Sequence, residues 1–242
     1  MQRTHIIATL ESIRYIALRA AAASVACSLV TFIFATDILK LLQRSSGLKV
    51  YYFSLPEAFF ARLDLSLFGG IFLSWPVIAY LFWRRAHKVF ASGVSLGYGI
   101  LVFSIFLFYA GSLFCFKFVL PSGIQFLISY GGGTIKPMIS IHHFVFFAVS
   151  MIFAFGAAFE IPIVMIMLSK FGVLTSRLLS RTRKYALLAI VAAAALITPT
   201  PDIYNMALLA VPMYILYESG ILLVRIRERR SHARPANTGN AG

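Results

Sequence analysis

Apolar runs, separated by short basic or glycine- and proline-bearing stretches, make up most of the chain. Six of them read as helices: residues 16–35, 65–83, 94–120, 144–168, 185–197 and 203–217. At about 1.5 Å per residue, the fourth makes a helix longer than the roughly 30 Å hydrocarbon core of a bilayer, so the pattern predicts a membrane span there. It carries one carboxylate, Glu160. An ionised group at that depth costs on the order of several kcal/mol unless it faces protein or water, so Glu160 is expected to be protonated or solvated and to mark a functional site. The plainer role, a protonated side chain gluing two helices together, more often falls to Ser, Thr, Asn or Gln. The fifth run has 13 residues and the sixth only 15 before Glu218. Both fall short of the core thickness and predict short spans with local thinning of the bilayer.

The stretches between the runs carry their own signals. Residues 1–15 are polar and basic, with Glu11 and Arg14. Residues 37–66 read as a loop in which Ser54, Pro56 and Glu57 have the spacing of a helix start, a Ser cap with Glu three residues on and Pro in the first turn. With Phe59 and Phe60 alternating against Arg62 and Asp64, this predicts a short helix lying on the outer membrane surface, and Glu57 is its cap. Gly69 and Gly70 predict close helix contact in the second span, and Pro76 a kink. Residues 122–141, with three consecutive glycines and Pro137, read as an outer loop. Thr198-Pro199-Thr200-Pro201-Asp202 is a turn that ends the fifth run. From Arg225 the composition is that of a basic, disordered tail, which leaves residues 1–224 as one membrane domain.

Composition agrees with this class: 60% of the residues are hydrophobic and 12% charged, and a mean hydropathy of +0.86 excludes an ordinary soluble domain. The net charge of +14 belongs in loops on one side of the membrane rather than on a nucleic-acid face. Sixteen of the 22 Lys and Arg fall on the side of both termini, and six (Lys40, Arg44, Lys49, Arg62, Lys117, Lys136) on the other. Six spans with both ends in the cytoplasm is the topology with the best bias. Cys27 and Cys115 lie in separate apolar runs and suggest no disulfide. No cleavable signal peptide is expected, since the first run is long enough to span. His142 and His143 are adjacent and point about 100° apart on a helix, so they make no i, i+4 metal pair. Neither a paired-Asp or zinc protease site nor a phosphate-binding glycine loop is present in the sequence, so neither an enzyme nor a cofactor or metal is expected.

Several motifs, in order and at fixed spacing, resemble the TatC family, the multi-spanning receptor subunit of the twin-arginine protein translocase. They are Pro56-Glu57-Ala58-Phe59; Pro76, Tyr80 and Trp83; Phe108, Tyr109, Gly111, Phe114 and Pro121; Ile135, Pro137 and Met138; Phe155-Gly156-Ala157-Ala158-Phe159-Glu160-Ile161-Pro162; Thr198 to Asp202; and Ala210, Val211, Pro212, Tyr217 and Glu218. The resemblance implies an all-α, glove-shaped bundle of six spans whose concave face holds Glu160. It also implies a multi-pass protein of the bacterial cytoplasmic membrane or an organellar one. Partners would be single-span TatA- and TatB-type subunits in an oligomeric assembly, with twin-arginine signal peptides as ligands and the proton-motive force as the driver. Glu11 and Arg14 would then serve signal binding. Pro56, Glu57, Phe59, Pro199, Pro201 and Asp202 would shape the outer loops and caps, and Asn205, Pro212, Tyr217 and Glu218 would pack helices or meet partners.

Two departures qualify the signal site. The family's Glu in the first cytoplasmic loop has no counterpart, since no acid stands between Asp64 and Glu160 and the loop carries Arg84, Arg85 and Lys88. The N-terminal match is limited to Glu11 and Arg14. Like charges oppose a pair of signal arginines, which predicts weaker twin-arginine binding than in ordinary members. A divergent scaffold that binds partner helices without reading signals is one alternative. A proton-coupled small-solute transporter is another, although the two halves show no internal repeat and only Glu160 lies deep.

Overall fold

The computed structural model describes residues 2–46, 50–90, 94–129, 138–197 and 203–232. The described residues are almost all helical: α1 (Gln2–Ser46), α2 (Glu57–Phe90), α3 (Val94–Phe114), a π turn (Cys115–Val119), α4 (Leu120–Ser129), α5 (Ile141–Phe159), α6 (Ile161–Lys170), α7 (Ser176–Arg181), α8 (Arg183–Ile197) and α9 (Ile203–His232). The two-residue strands β1 (Val50–Tyr51) and β2 (Ile139–Ser140) pair in parallel, Val50 opposite Ile139 and Tyr51 opposite Ser140. Among the described residues, five segments are long and apolar enough to cross a membrane: Arg14–Ser45, Glu57–Arg84, Tyr98–Gln125, Ile141–Lys170 and Met206–Arg229. The chain divides into two compact units, Met1–Phe155 and Gly156–Gly242.

In the first unit α1 packs along α2, and the contact is made of small residues. A Cβ on Gly70 would lie 1.9 Å from Ser28 Oγ and 2.6 Å from Ser28 Cα, and one on Gly69 would lie 2.4 Å from Thr31 Cγ2. Only glycine lets the two backbones approach that far. Ser66 Oγ donates to Ser28 O at 2.9 Å, and the Ser24 and Ser74 hydroxyls meet at 2.9 Å. Pro76 sits inside α2 without ending it. With no N–H of its own, Pro76 leaves the Phe72 carbonyl without its helical donor, and the Tyr109 hydroxyl of α3 fills the gap at 3.0 Å. Around this bond Trp75 stacks on Phe108, centroids 4.1 Å apart, with Phe72, Tyr109 and Phe153 edge-on or tilted. An apolar groove of about 670 Å³ opens beside them, and Ser112, whose buried Oγ has no hydrogen-bond partner among the described residues, lines it.

Several sequence expectations are corrected here. Residues 37–66 are not one loop: α1 runs on to Ser46, with Lys40 paired to Asp37 at 3.1 Å along the helix. The short surface helix is the first part of α2, continuous with the second span. The third span does not stop at residue 120. The π turn, closed by Leu120 N–H donating to Cys115 O, absorbs Pro121, and α4 continues to Ser129. The tail that was expected to begin at Arg225 is helical as far as His232.

In the second unit α6 packs on α9. A Cβ on Gly220 would lie 2.5 Å from Met165 Sδ and 3.3 Å from Pro162 Cα, so glycine sets the closeness of the pair. The sixth helix is not short. Glu218, expected to end it, pairs with Arg183 at 2.9 Å and accepts from the Tyr214 hydroxyl at 3.0 Å. With its charge matched, the helix passes through Glu218 and resumes its apolar character at Ile221 to Val224. The fifth, α8, is short at 15 residues, as expected. The basic stretch 169–184 is not a plain loop either. It turns at Gly172, whose φ of +73° suits glycine, and forms α7, capped by the Thr175 hydroxyl accepting from Leu178 N–H at 3.2 Å.

Candidate functional site

The intramembrane glutamate stands at a helix break. Pro162 has no N–H for the carbonyl four residues back and crowds it, so the expected single helix over 144–168 divides, α5 ending at Phe159 and α6 beginning at Ile161 with Pro162 in its first turn. Glu160 occupies the turn. Its N–H donates to Ala157 O at 3.1 Å, and its carbonyl accepts from both Ile163 and Val164 N–H at 3.0 Å. The residue is 9% exposed, so its carboxyl group is held in the interior of a 30-residue apolar segment. Because Gly220 brings α9 against Pro162, the site has a second helix wall two residues away.

Glu57 proves to be more than a helix cap. Its Oε2 accepts from Phe53 N–H at 3.0 Å, reaching back as an N-terminal Glu does, and also from the Ser140 hydroxyl at 3.2 Å. Ser140 belongs to β2, so one carboxylate holds the start of α2 to the strand that leads into α5. The Ser140 hydroxyl also lies 3.1 Å from His143 Nδ1. One residue back, His142 Nε2 approaches Asp64 Oδ2 at 3.0 Å, an ion-pair distance without hydrogen-bond alignment. Sequence reasoning weighed the two histidines only as metal ligands and missed both contacts. The signal available to it was the acid at each of positions 57 and 64, at the start of a span. Pro56 and Phe59, beside Glu57, are exposed.

A second clasp, also missed, joins α7 to α9. Ser176 N–H donates to Glu228 Oε1 at 2.9 Å, and its hydroxyl donates to Glu228 Oε2. The carboxylate thus sits at the amino end of a helix, where negative charge is favoured. Tyr217, expected to pack a helix or meet a partner, donates its buried hydroxyl to Leu179 O at 2.9 Å. Glu218, the next residue, is held by Arg183 and Tyr214, while Pro212 is half-buried within α9. Arg14 is exposed on α1. Pro199, Pro201 and Asp202 lie outside the described residues, as do the side chains of Glu11 and Asn205. The structure therefore gathers Tyr217 and Glu218 at one helix contact and Pro56, Glu57 and Phe59 at another.

Residues 8–212 match the family described as Sec-independent protein translocase protein (TatC). A protein of that name from Desulforapulum autotrophicum is 38% identical over 187 residues, which are 74% of this chain and 67% of its own. One from Carboxydothermus hydrogenoformans is 30% identical over 226 residues, 89% of this chain and 90% of its own. The fold is similar to a crystal structure described as the twin arginine translocase receptor TatC, with a TM-score of 0.81 and 31% identity over 91% of this chain and 99% of that one. On the match over residues 8–212, the likeness of fold and the five apolar spans, this chain belongs to the TatC family and is a multi-pass membrane subunit of the Sec-independent protein translocase.

Proposed function

We propose that the chain is the receptor core of a twin-arginine translocase in a bacterial cytoplasmic membrane. It would act as one six-span, glove-like domain with both termini in the cytoplasm and Glu160 on the concave face. Single-span TatA- and TatB-type subunits would be its partners, the signal peptides of folded cargo its ligands, and the proton-motive force its energy source. The observation that carries this reading is the buried Glu160 at the Pro162 break of an otherwise apolar span. A carboxyl group there offers an incoming helix a polar contact where lipid offers none. Recognition of the arginine pair falls to Glu11 and Arg14 on the N-terminal segment. With no acid between Asp64 and Glu160, Glu11 supplies the attraction, against the positive charge of Arg84 and its neighbours. Glu228, the other acid near a cytoplasmic end, is already engaged by Ser176.

Photo-crosslinking of a twin-arginine peptide to the chain in membranes tests the receptor role. The expected result is crosslinking that falls at least about tenfold, equivalent to roughly 1.4 kcal/mol, when the arginine pair is replaced by lysines or when Glu11→Gln is made. Crosslinking indifferent to both changes would reject the assigned signal site. If single-span Tat subunits still co-purified with the chain, the divergent-scaffold reading, which binds partner helices without reading signals, would replace this one.

A further inference from the structure

The ends of α6 and α9 bring together cations that the receptor reading does not use. α6 closes the span Ile141–Lys170, and α9 closes the span Met206–Arg229. Arg227 Nη1 donates to Ser169 Oγ at 3.1 Å, which puts the two span ends at one level. Lys170 follows Ser169, and its charge is near enough to that of Arg227 for the two to repel. Both cations are half-buried, and Ser169 is buried. Between residues 170 and 229 the sequence has eight Lys and Arg against three acids; Glu218 is engaged by Arg183 and Tyr214, and Glu228, bonded to Ser176, also lies near Arg227, so the stretch keeps an excess of positive charge.

Like charges held together at the end of a span are stabilised by an anion shared between them. A guanidinium offers a planar fork to two phosphate oxygens, and an ammonium adds a point charge. A serine hydroxyl that accepts from an arginine still has its own proton to donate. The depth is that of lipid headgroups, because both cations lie within the last three residues of apolar spans. Phe171 and Ile226, next in sequence to Lys170 and Arg227, are exposed and give acyl chains an apolar surface. Basic pockets between membrane helices are where anionic headgroups bind. We propose that the junction of α6 and α9 is a binding site for an anionic phospholipid, whose phosphate is clamped by Lys170 and Arg227 beside Ser169. A free phosphate has the same oxygens but no chains for Phe171 and Ile226, which is why a lipid is the assigned ligand. The site depends on the two spans and not on signal recognition, so either reading can fail alone.

The test titrates the purified full chain in neutral detergent with phosphatidylglycerol, phosphatidylcholine or inorganic phosphate. Native mass spectrometry counts the bound lipid, and thermal unfolding follows Tm. Phosphatidylglycerol is expected to be retained and to raise Tm, while phosphatidylcholine and inorganic phosphate do neither. At about fivefold per surface charge, the double variant Lys170→Gln with Arg227→Gln weakens phosphatidylglycerol binding about 25-fold. Lys40→Gln, a change to an exposed cation on the first unit, leaves it unaltered. Equal retention of the two lipids, the same Tm rise from inorganic phosphate alone, or full binding by the double variant would each overturn the site. The headgroup comparison on the unaltered protein decides the question even if the double variant does not fold.

Discussion

Glu57 in the first unit and Glu228 in the second use the same device. Each accepts from a backbone N–H and a serine hydroxyl, and each fastens a short segment to a long helix. Their surroundings differ. Beside Glu57 stand two imidazoles, His143 sharing Ser140 and His142 paired with Asp64. Beside Glu228 stand guanidiniums, Arg227 on Ser169 and Arg225 reaching Ser180 at 3.4 Å. Guanidiniums keep their charge at every physiological pH, whereas imidazoles are the side chains whose charge changes near neutrality. The clasp of the second unit therefore lies among guanidiniums, and that of the first among imidazoles. Neither resembles Glu160, which lies inside an apolar span. Glu57 and Glu228 fasten one segment to another, and Glu160, at depth, is where function is sought.

Replacing these groups separates the two clasps. Glu228→Ala leaves the Ser176 N–H and hydroxyl without their acceptor and Arg227 without its neighbouring charge, and a loss of about 2 kcal/mol is expected. It should appear as a lower Tm and as new protease cleavage within residues 171–182. Glu57→Ala removes one acceptor from a more exposed site and is expected to cost about 1 kcal/mol, with cleavage confined to residues 50–57. Equal losses at the two positions would erase the distinction. The smallest effect is expected from His142→Phe, which keeps a ring against Phe60 and removes a partly exposed pair with Asp64. About 0.5 kcal/mol is expected from unfolding midpoints, and a loss as large as that of Glu57→Ala would make the histidine the main fastening of this end.

Much of this architecture is legible in the sequence, because membrane spans are written in continuous apolar runs and close helix contacts in small residues such as Gly69 and Gly70. Glu160 is legible for the same reason, as one charge in a long apolar run. What the sequence hides are effects of distant partners. α9 passes through Glu218 because Arg183, 35 positions earlier, matches its charge. Pro76 is accommodated because Tyr109, from another helix, supplies a donor to Phe72. The pairing of Val50 with Ile139 and the bond from Ser140 to Glu57 join residues more than 80 positions apart, a distance over which periodicity says nothing. The extension of α1 past residue 35 was hidden by local composition. Asp37, Lys40 and Arg44 look like a loop, yet Ala35 and Leu42 are buried on one helix face.

The most direct measurement concerns Glu160. Export of a reporter carrying a twin-arginine signal is followed in cells whose only TatC is this chain, at matched abundance of the unaltered protein, Glu160→Gln and Glu160→Leu. Gln keeps the size and a hydrogen-bonding end, so its fold and abundance are expected to be unchanged and its export within about twofold. Leu keeps the volume and removes the polar contact, so export is expected to fall at least about tenfold, or roughly 1.4 kcal/mol. Full export by Glu160→Leu at unchanged abundance would contradict the assignment, leaving the buried carboxyl group as a passenger of the helix break at Pro162.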